Sequence, residues 1–177
     1  MQLIDQLAFY GTYHHHPINQ LIHFVFVPTI LWSILVFLHQ LHPLTSLLIV
    51  LIYSIFYVYL DPIAGGLWAL LVATPLAWSA SLFAAQPHIV VLGTPCSTSF
   101  IALVIHVFSW YMQIHPGHAV FEKRKPALMD SLIQAFALAP LFVFYELLFL
   151  LGYRPKLRKD LSARIEKDLK KLQKAKR

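Results

Sequence analysis

Residues 13–23 read YHHHPINQLIH and hold four of the chain's ten histidines, at positions 14, 15, 16 and 23. Pro17 suits the first turn of a helix, where its missing N–H leaves no helical bond unmade. On that helix Asn19 and His23 are four apart on one face, and His16 aligns with both. One or two of the leading histidines can fold back toward the same face. Neutral imidazole is the commonest metal ligand, and three imidazoles suit iron, copper or zinc. A second run, QIHPGHAVFEKRKPALMD, carries His115 and His118, with Glu122 four residues after His118. On a helix His118 and Glu122 share a face, and Gly117 lets the backbone approach a partner closely. Glu122, or Glu146 within FVFYELLFL, is placed to orient a ligating imidazole. Lys123 and Arg124 follow Glu122 directly, and Arg makes the better fork for a carboxylate. The single cysteine, Cys96, rules out an internal disulfide and a thiolate cluster, so any metal must take nitrogen or oxygen ligands.

The elements that must position these residues are apolar. The chain has 177 residues, 58% of them hydrophobic and 12% charged, and a mean hydropathy of +0.64. A soluble domain carries about 25% charged residues. Between Asp5 and Glu122 the only charged residue, with histidine neutral, is Asp61. Such a stretch cannot cover a water-facing surface, which predicts an integral membrane protein. The first residues, MQLIDQLAFYG, lack a basic segment and a small-residue cleavage site, so they do not read as a cleavable signal.

Five apolar stretches are predicted as helices or half-helices, over 21–38, 44–60, 63–85, 99–114 and 132–151. A spanning helix needs about 20 residues, and the first, second and fourth are short for that. Pro28, Pro75 and Pro140 predict kinks. The segment QPHIVVLGTPCSTS reads as a longer loop. His39, His42, His88 and His106 stand alone and read as loop or interface residues rather than ligands. If all four early stretches cross, the chain returns to its original side and the two histidine clusters share one membrane face.

All fourteen Lys and Arg lie from Lys123 onward. Basic residues favour the cytoplasmic side, and here they flank both ends of 132–151. That predicts either a hairpin turning at Pro140 or one crossing whose first flank belongs to a folded site. Residues 155–177 form a basic tail. Its Leu157, Leu161, Ile165, Leu169 and Leu172 recur every three or four residues, a single apolar stripe. A basic amphipathic helix of this kind reads as lying on an anionic membrane surface, with the C-terminus cytoplasmic. No aromatic residues interleave with its basic ones, so nucleic acid is not an expected partner.

FYGTYHHHPINQLIH, then FVPTI, GHAVFEKRKPAL and ELLFLLGYRPKL, resemble the fungal 2-hydroxy fatty acid dioxygenases and their bacterial and plant relatives. The resemblance runs from Leu7 to about Leu157. It implies an Fe(II)-dependent α-oxidation, in which a long-chain 2-hydroxy fatty acid reacts with O2 and becomes a fatty acid one carbon shorter. The family's paired histidines fall on His14 and His15, its helix histidine on His23 and that of the second motif on His118. It thus implies iron held by His14, His15, His23 and His118. His16 and His115 fall where the family's pattern varies.

The resulting expectation is an all-α, polytopic membrane helix bundle with kinked or half-spanning helices and a basic amphipathic C-terminal helix. Residues 1–154 form the embedded catalytic domain and 155–177 the tail. Asn19, His115, Glu122 and Glu146 support the ligands, and Lys123 and Arg124 receive the substrate carboxylate. The membrane is the endoplasmic reticulum in a eukaryote or the inner membrane in a bacterium, and membrane lipids are neighbours. Two other readings stand beside this one. One is a histidine-ligated di-iron lipid hydroxylase. The other is a non-catalytic lipid-binding or scaffold protein whose histidines make structural hydrogen bonds.

Overall fold

The structure, a computed structural model, describes residues 3–175. The last two residues of the basic tail, Lys176 and Arg177, lie outside them. Helices dominate: α1 (Leu3–Gly11), α2 (Pro17–Leu41), α3 (Pro43–Leu60), α4 (Pro62–Trp68), α5 (Thr74–Ala84), α6 (Thr98–Met112), α7 (Leu132–Leu150) and α8 (Pro155–Ala175). Among the described residues, three helical runs are long and apolar enough to cross a membrane: Pro17–Leu41, Pro43–Leu60 and Pro62–Ala84. The chain divides into two compact units.

One unit comprises residues 25–113. Two of its helices, α3 and α4, start where the sequence supplies proline in the first turn and a side-chain acceptor just before it. His42 caps α3 by accepting from the Leu44 N–H (3.2 Å). Asp61 caps α4 by accepting from Ile63 and Ala64 (3.1 and 3.2 Å). A π-helical turn, Ala69–Ala73, joins α4 to α5 just before Pro75, and the Thr74 hydroxyl donates to the Ala69 carbonyl (2.9 Å). The widened turn takes in the proline without ending the helix. Gln40 near the end of α2 donates to Thr98 (3.0 Å) and accepts from Ser99 (2.9 Å), tying α2 to the start of α6.

His106 is structural. Trp110 Nε1 donates to its Nε2 (3.0 Å), so Nδ1 carries the proton and donates to Ser33 Oγ (2.8 Å), while that hydroxyl donates to the Ile30 carbonyl (2.8 Å). The predicted long loop is corrected to a β-hairpin, β1 (His88–Val91) paired antiparallel with β2 (Thr94–Ser97). Leu92 (φ 50°) and Gly93 (φ 82°) form its two-residue turn, the left-handed pair that matches strand twist. HIVV is too short a run to stand out as a strand beside the long apolar stretches.

The other unit contains residues up to 24 and from 114 onward. Its core gathers Leu7, Tyr10, Leu138, Leu141, Phe142 and Tyr145 from α1 and α7. α7 runs unbroken through Pro140, which overturns the hairpin reading. α8 packs on α1. Leu161 is buried, and Ile165 lies so close to Gly11 that a Cβ there would collide with it. Arg164 pairs with Asp5 (3.4 Å). Part of the tail's apolar stripe, Leu161 and Ile165, is thus engaged on α1, while Leu172 is exposed. A stripe shows that a helix has a partner, not which partner.

Candidate metal centre

α1 ends at Gly11, and three short bonds turn the chain into α2: Thr12 N–H to Ala8, Tyr13 N–H to Tyr10 and His14 N–H to Gly11 (3.0, 3.0 and 3.2 Å). This turn drops His14 back against α1, its ring stacked on Tyr10 at 4.0 Å. His23 faces it from the second turn of α2. His118 comes from a π-helical segment, Gln113–Glu122, whose wide turn accommodates Pro116. The three rings meet edge to face, with centroids 4.3, 4.8 and 4.9 Å apart. One ring nitrogen from each lies within 4.8 Å of the others, and all three residues are buried.

Hydrogen bonding fixes two of the tautomers. His14 Nδ1 donates to the Tyr10 carbonyl and His23 Nδ1 to the Asn19 carbonyl, each at 2.9 Å. Each Nε2 therefore carries a lone pair. His14 Nε2 and His118 Nδ1 are buried without a partner. Burial, with His23 and His118 alongside, holds the His14 imidazole well below its ordinary pKa. Burial also pushes His118 down to about 4. Both rings are neutral near pH 7. The lone pairs of His14 and His23, with the neutral His118 ring beside them, suit a positive centre between them. This donor set fits a metal ion held by nitrogen.

Glu122 does something different from the expected orientation of an imidazole. Its carboxylate accepts from the backbone N–H groups of His15 (3.1 Å) and His16 (2.9 Å) and from Asn19 Nδ2 (3.0 Å). It caps the start of α2 from a segment about a hundred residues away, where the helix offers unpaired N–H groups and a positive dipole end. Glu146 accepts from Gln20 Nε2 (3.3 Å), which also donates to the His14 carbonyl (3.0 Å). The imidazoles of His14 and His23 are oriented by main-chain carbonyls one helical turn earlier, a partner that sequence motifs do not reveal.

The remaining predicted residues fall around this centre. His15 is exposed and outside the buried trio, although its N–H binds Glu122. His16 stacks on Phe121 (5.4 Å), with its Nδ1 accepting from the Ile18 N–H (3.2 Å). His115 is exposed. Arg124 donates to the Thr12 carbonyl (2.6 Å) and lies 4.0 Å over the Tyr13 ring, so it braces the α1–α2 turn. Tyr13 in turn donates to Asp130, which also pairs with Lys125. Lys123 is exposed at φ 52° and ends the π-helical segment in the left-handed conformation, with the Arg124 N–H returning to the His118 carbonyl (3.1 Å). Tyr10, Tyr13 and Gln20 were missed as supports because aromatic and amide residues near a helix end carry no spacing signal.

No solved protein structure matches the chain. It is 39% identical over 175 residues to the 2-hydroxy-palmitic acid dioxygenase MPO1 of Saccharomyces cerevisiae, an alignment covering 94% of this chain and 91% of that protein. A family model described as 2-hydroxy-palmitic acid dioxygenase Mpo1-like matches residues 1–151, a span that contains all three buried histidines. On that match and that relative, the chain belongs to the Mpo1-like family.

Proposed function

We propose that the protein is a membrane-embedded, Fe(II)-dependent dioxygenase that converts a long-chain 2-hydroxy fatty acid and O2 to the fatty acid one carbon shorter, CO2 and water. The buried trio of His14, His23 and His118, with His14 Nε2 and His118 Nδ1 without partners, carries this reading. Family membership supplies the substrate class. The stoichiometry balances without another reductant: the α-carbon and the departing carboxyl carbon together give up the four electrons that O2 takes. Iron at the trio would supply the coordination positions for O2 and for a chelating hydroxy acid.

The chain's own residues hold and orient. Tyr10 and Asn19 carbonyls aim the lone pairs of His14 and His23. Glu122 joins the two histidine segments. Arg124 is committed to Thr12 and Tyr13, so Lys123 is the cation for the substrate carboxylate. The apolar run that follows His23 is a path by which an alkyl chain would arrive from lipid. The basic outer face of α8 sets the C-terminus on the cytoplasmic side.

The test is O2 uptake by detergent-purified, Fe(II)-loaded protein given 2-hydroxypalmitate, with palmitate as control. The expected result is uptake with the hydroxy acid alone and an equal amount of fifteen-carbon product. Absence of uptake from protein shown to contain iron would refute the reading. Glu122→Ala should lower iron affinity about 10–100-fold, read as iron retained against a competing chelator, with helix content by circular dichroism unchanged.

A further inference from the structure

Asn19 is fully buried one turn before His23, and it touches every segment that carries one of the three histidines. Its main-chain carbonyl accepts from His23 Nδ1 (2.9 Å). Its Nδ2 donates to the carbonyl of Tyr13 (3.3 Å), the residue before His14, and to Glu122 Oε2 (3.0 Å), four residues after His118. Both of those partners are pure acceptors, so the amide cannot be flipped: exchange would set its oxygen against a carboxylate. Oδ1 is therefore a true acceptor, and it is buried with no donor. A buried acceptor left unmatched is unfavourable and calls for a specific explanation. His14 Nε2, the partnerless imidazole nitrogen whose tautomer is fixed, is a lone pair as well and cannot satisfy it.

We propose that Asn19 Oδ1 accepts the hydrogen bond of the substrate's 2-hydroxyl and so distinguishes a 2-hydroxy acid from the unsubstituted acid. This inference rests on the dioxygenase reading. The 2-hydroxyl is the one neutral donor that separates that substrate from an ordinary fatty acid. Asn19 Oδ1 is the neutral oxygen held in a fixed orientation to meet it.

The experiment compares 2-hydroxypalmitate with 2-fluoropalmitate, whose fluorine is close to a hydroxyl in size and carries no proton. Affinities are measured by displacement of a fluorescent fatty acid from wild-type and Asn19→Ala protein, each metal-free and Zn(II)-loaded. Metal-free wild type is expected to prefer the hydroxy acid about tenfold, because the chain itself reads the proton. Asn19→Ala is expected to abolish that preference, the two affinities of the metal-free variant becoming equal. Equal weakening toward both acids, or no preference in metal-free wild type, would overturn the assignment. The last comparison can overturn the assignment even if the variant fails to fold. If Asn19 alone is misassigned, Zn(II)-loaded wild type still prefers the hydroxy acid by chelation. If the dioxygenase reading is wrong, that preference and the O2 uptake are both absent.

Discussion

Replacing His118 with alanine is expected to remove bound iron and O2 uptake together, by a factor of about 100 or more in each. His118 is the only member of the trio supplied by the second histidine segment. Without it, the lone pairs of His14 and His23 remain with two of three nitrogens and a void where the third ring stood. His15→Ala provides the contrast. The His15 side chain is exposed, and its tie to Glu122 runs through the backbone N–H, which alanine keeps. That variant is expected to retain iron and activity. The check is metal content by mass spectrometry beside O2 uptake for both proteins. Iron loss in His15→Ala, or full iron in His118→Ala, would require a different ligand set from the buried trio.

Gly65→Ala is expected to be the most destabilising of the small substitutions. A Cβ at Gly65 would overlap the main-chain carbonyl of Tyr57 and the nitrogen of Val58, where α3 and α4 cross backbone to backbone. Main chain cannot turn aside as a side-chain tip can, so the loss should reach or exceed the upper end of the roughly 1–3 kcal/mol seen for overpacking. Small residues at helix contacts in apolar surroundings serve this close approach. The neighbouring Gly66 is the control, since nothing lies within 4 Å of a Cβ there. Gly66→Ala should gain roughly 0.5–1 kcal/mol from reduced backbone freedom. Thermal unfolding in detergent separates the two. A Gly65→Ala protein as stable as wild type would mean that α3 and α4 do not cross this closely.

Much of the helix layout was legible because each start carries its own chemistry. Pro17, Pro43 and Pro62 each open a helix, and the absence of charge from residue 6 to 121, Asp61 aside, leaves little but apolar helices to build. Pro28 and Pro140 sit inside continuous helices, because a packed helix tolerates the loss of one backbone bond. The site was half legible. His23 and His118 follow from spacing and Pro17, but the choice between His14 and His15 does not. Before Pro17 there is no helical phase to read, and adjacent residues in a turn point to different sides. Packing of the His14 ring on Tyr10, and capture of the next two N–H groups by Glu122, turned His14 inward and His15 out.

From sequence alone one could establish an apolar helical chain with two histidine clusters at the ends of its first and fourth apolar stretches, because hydropathy, proline and charge act locally and leave a direct mark. Tertiary contact alone decided which imidazoles meet, that main-chain carbonyls aim two of them, and that Glu122 binds a helix start. It also decided that Leu161 and Ile165 of the C-terminal stripe lie on α1. The physical reason is the same in each case. A lone pair, a carboxylate or an apolar stripe specifies the kind of partner it needs, while the partner's identity depends on which surfaces the fold brings within a few ångströms.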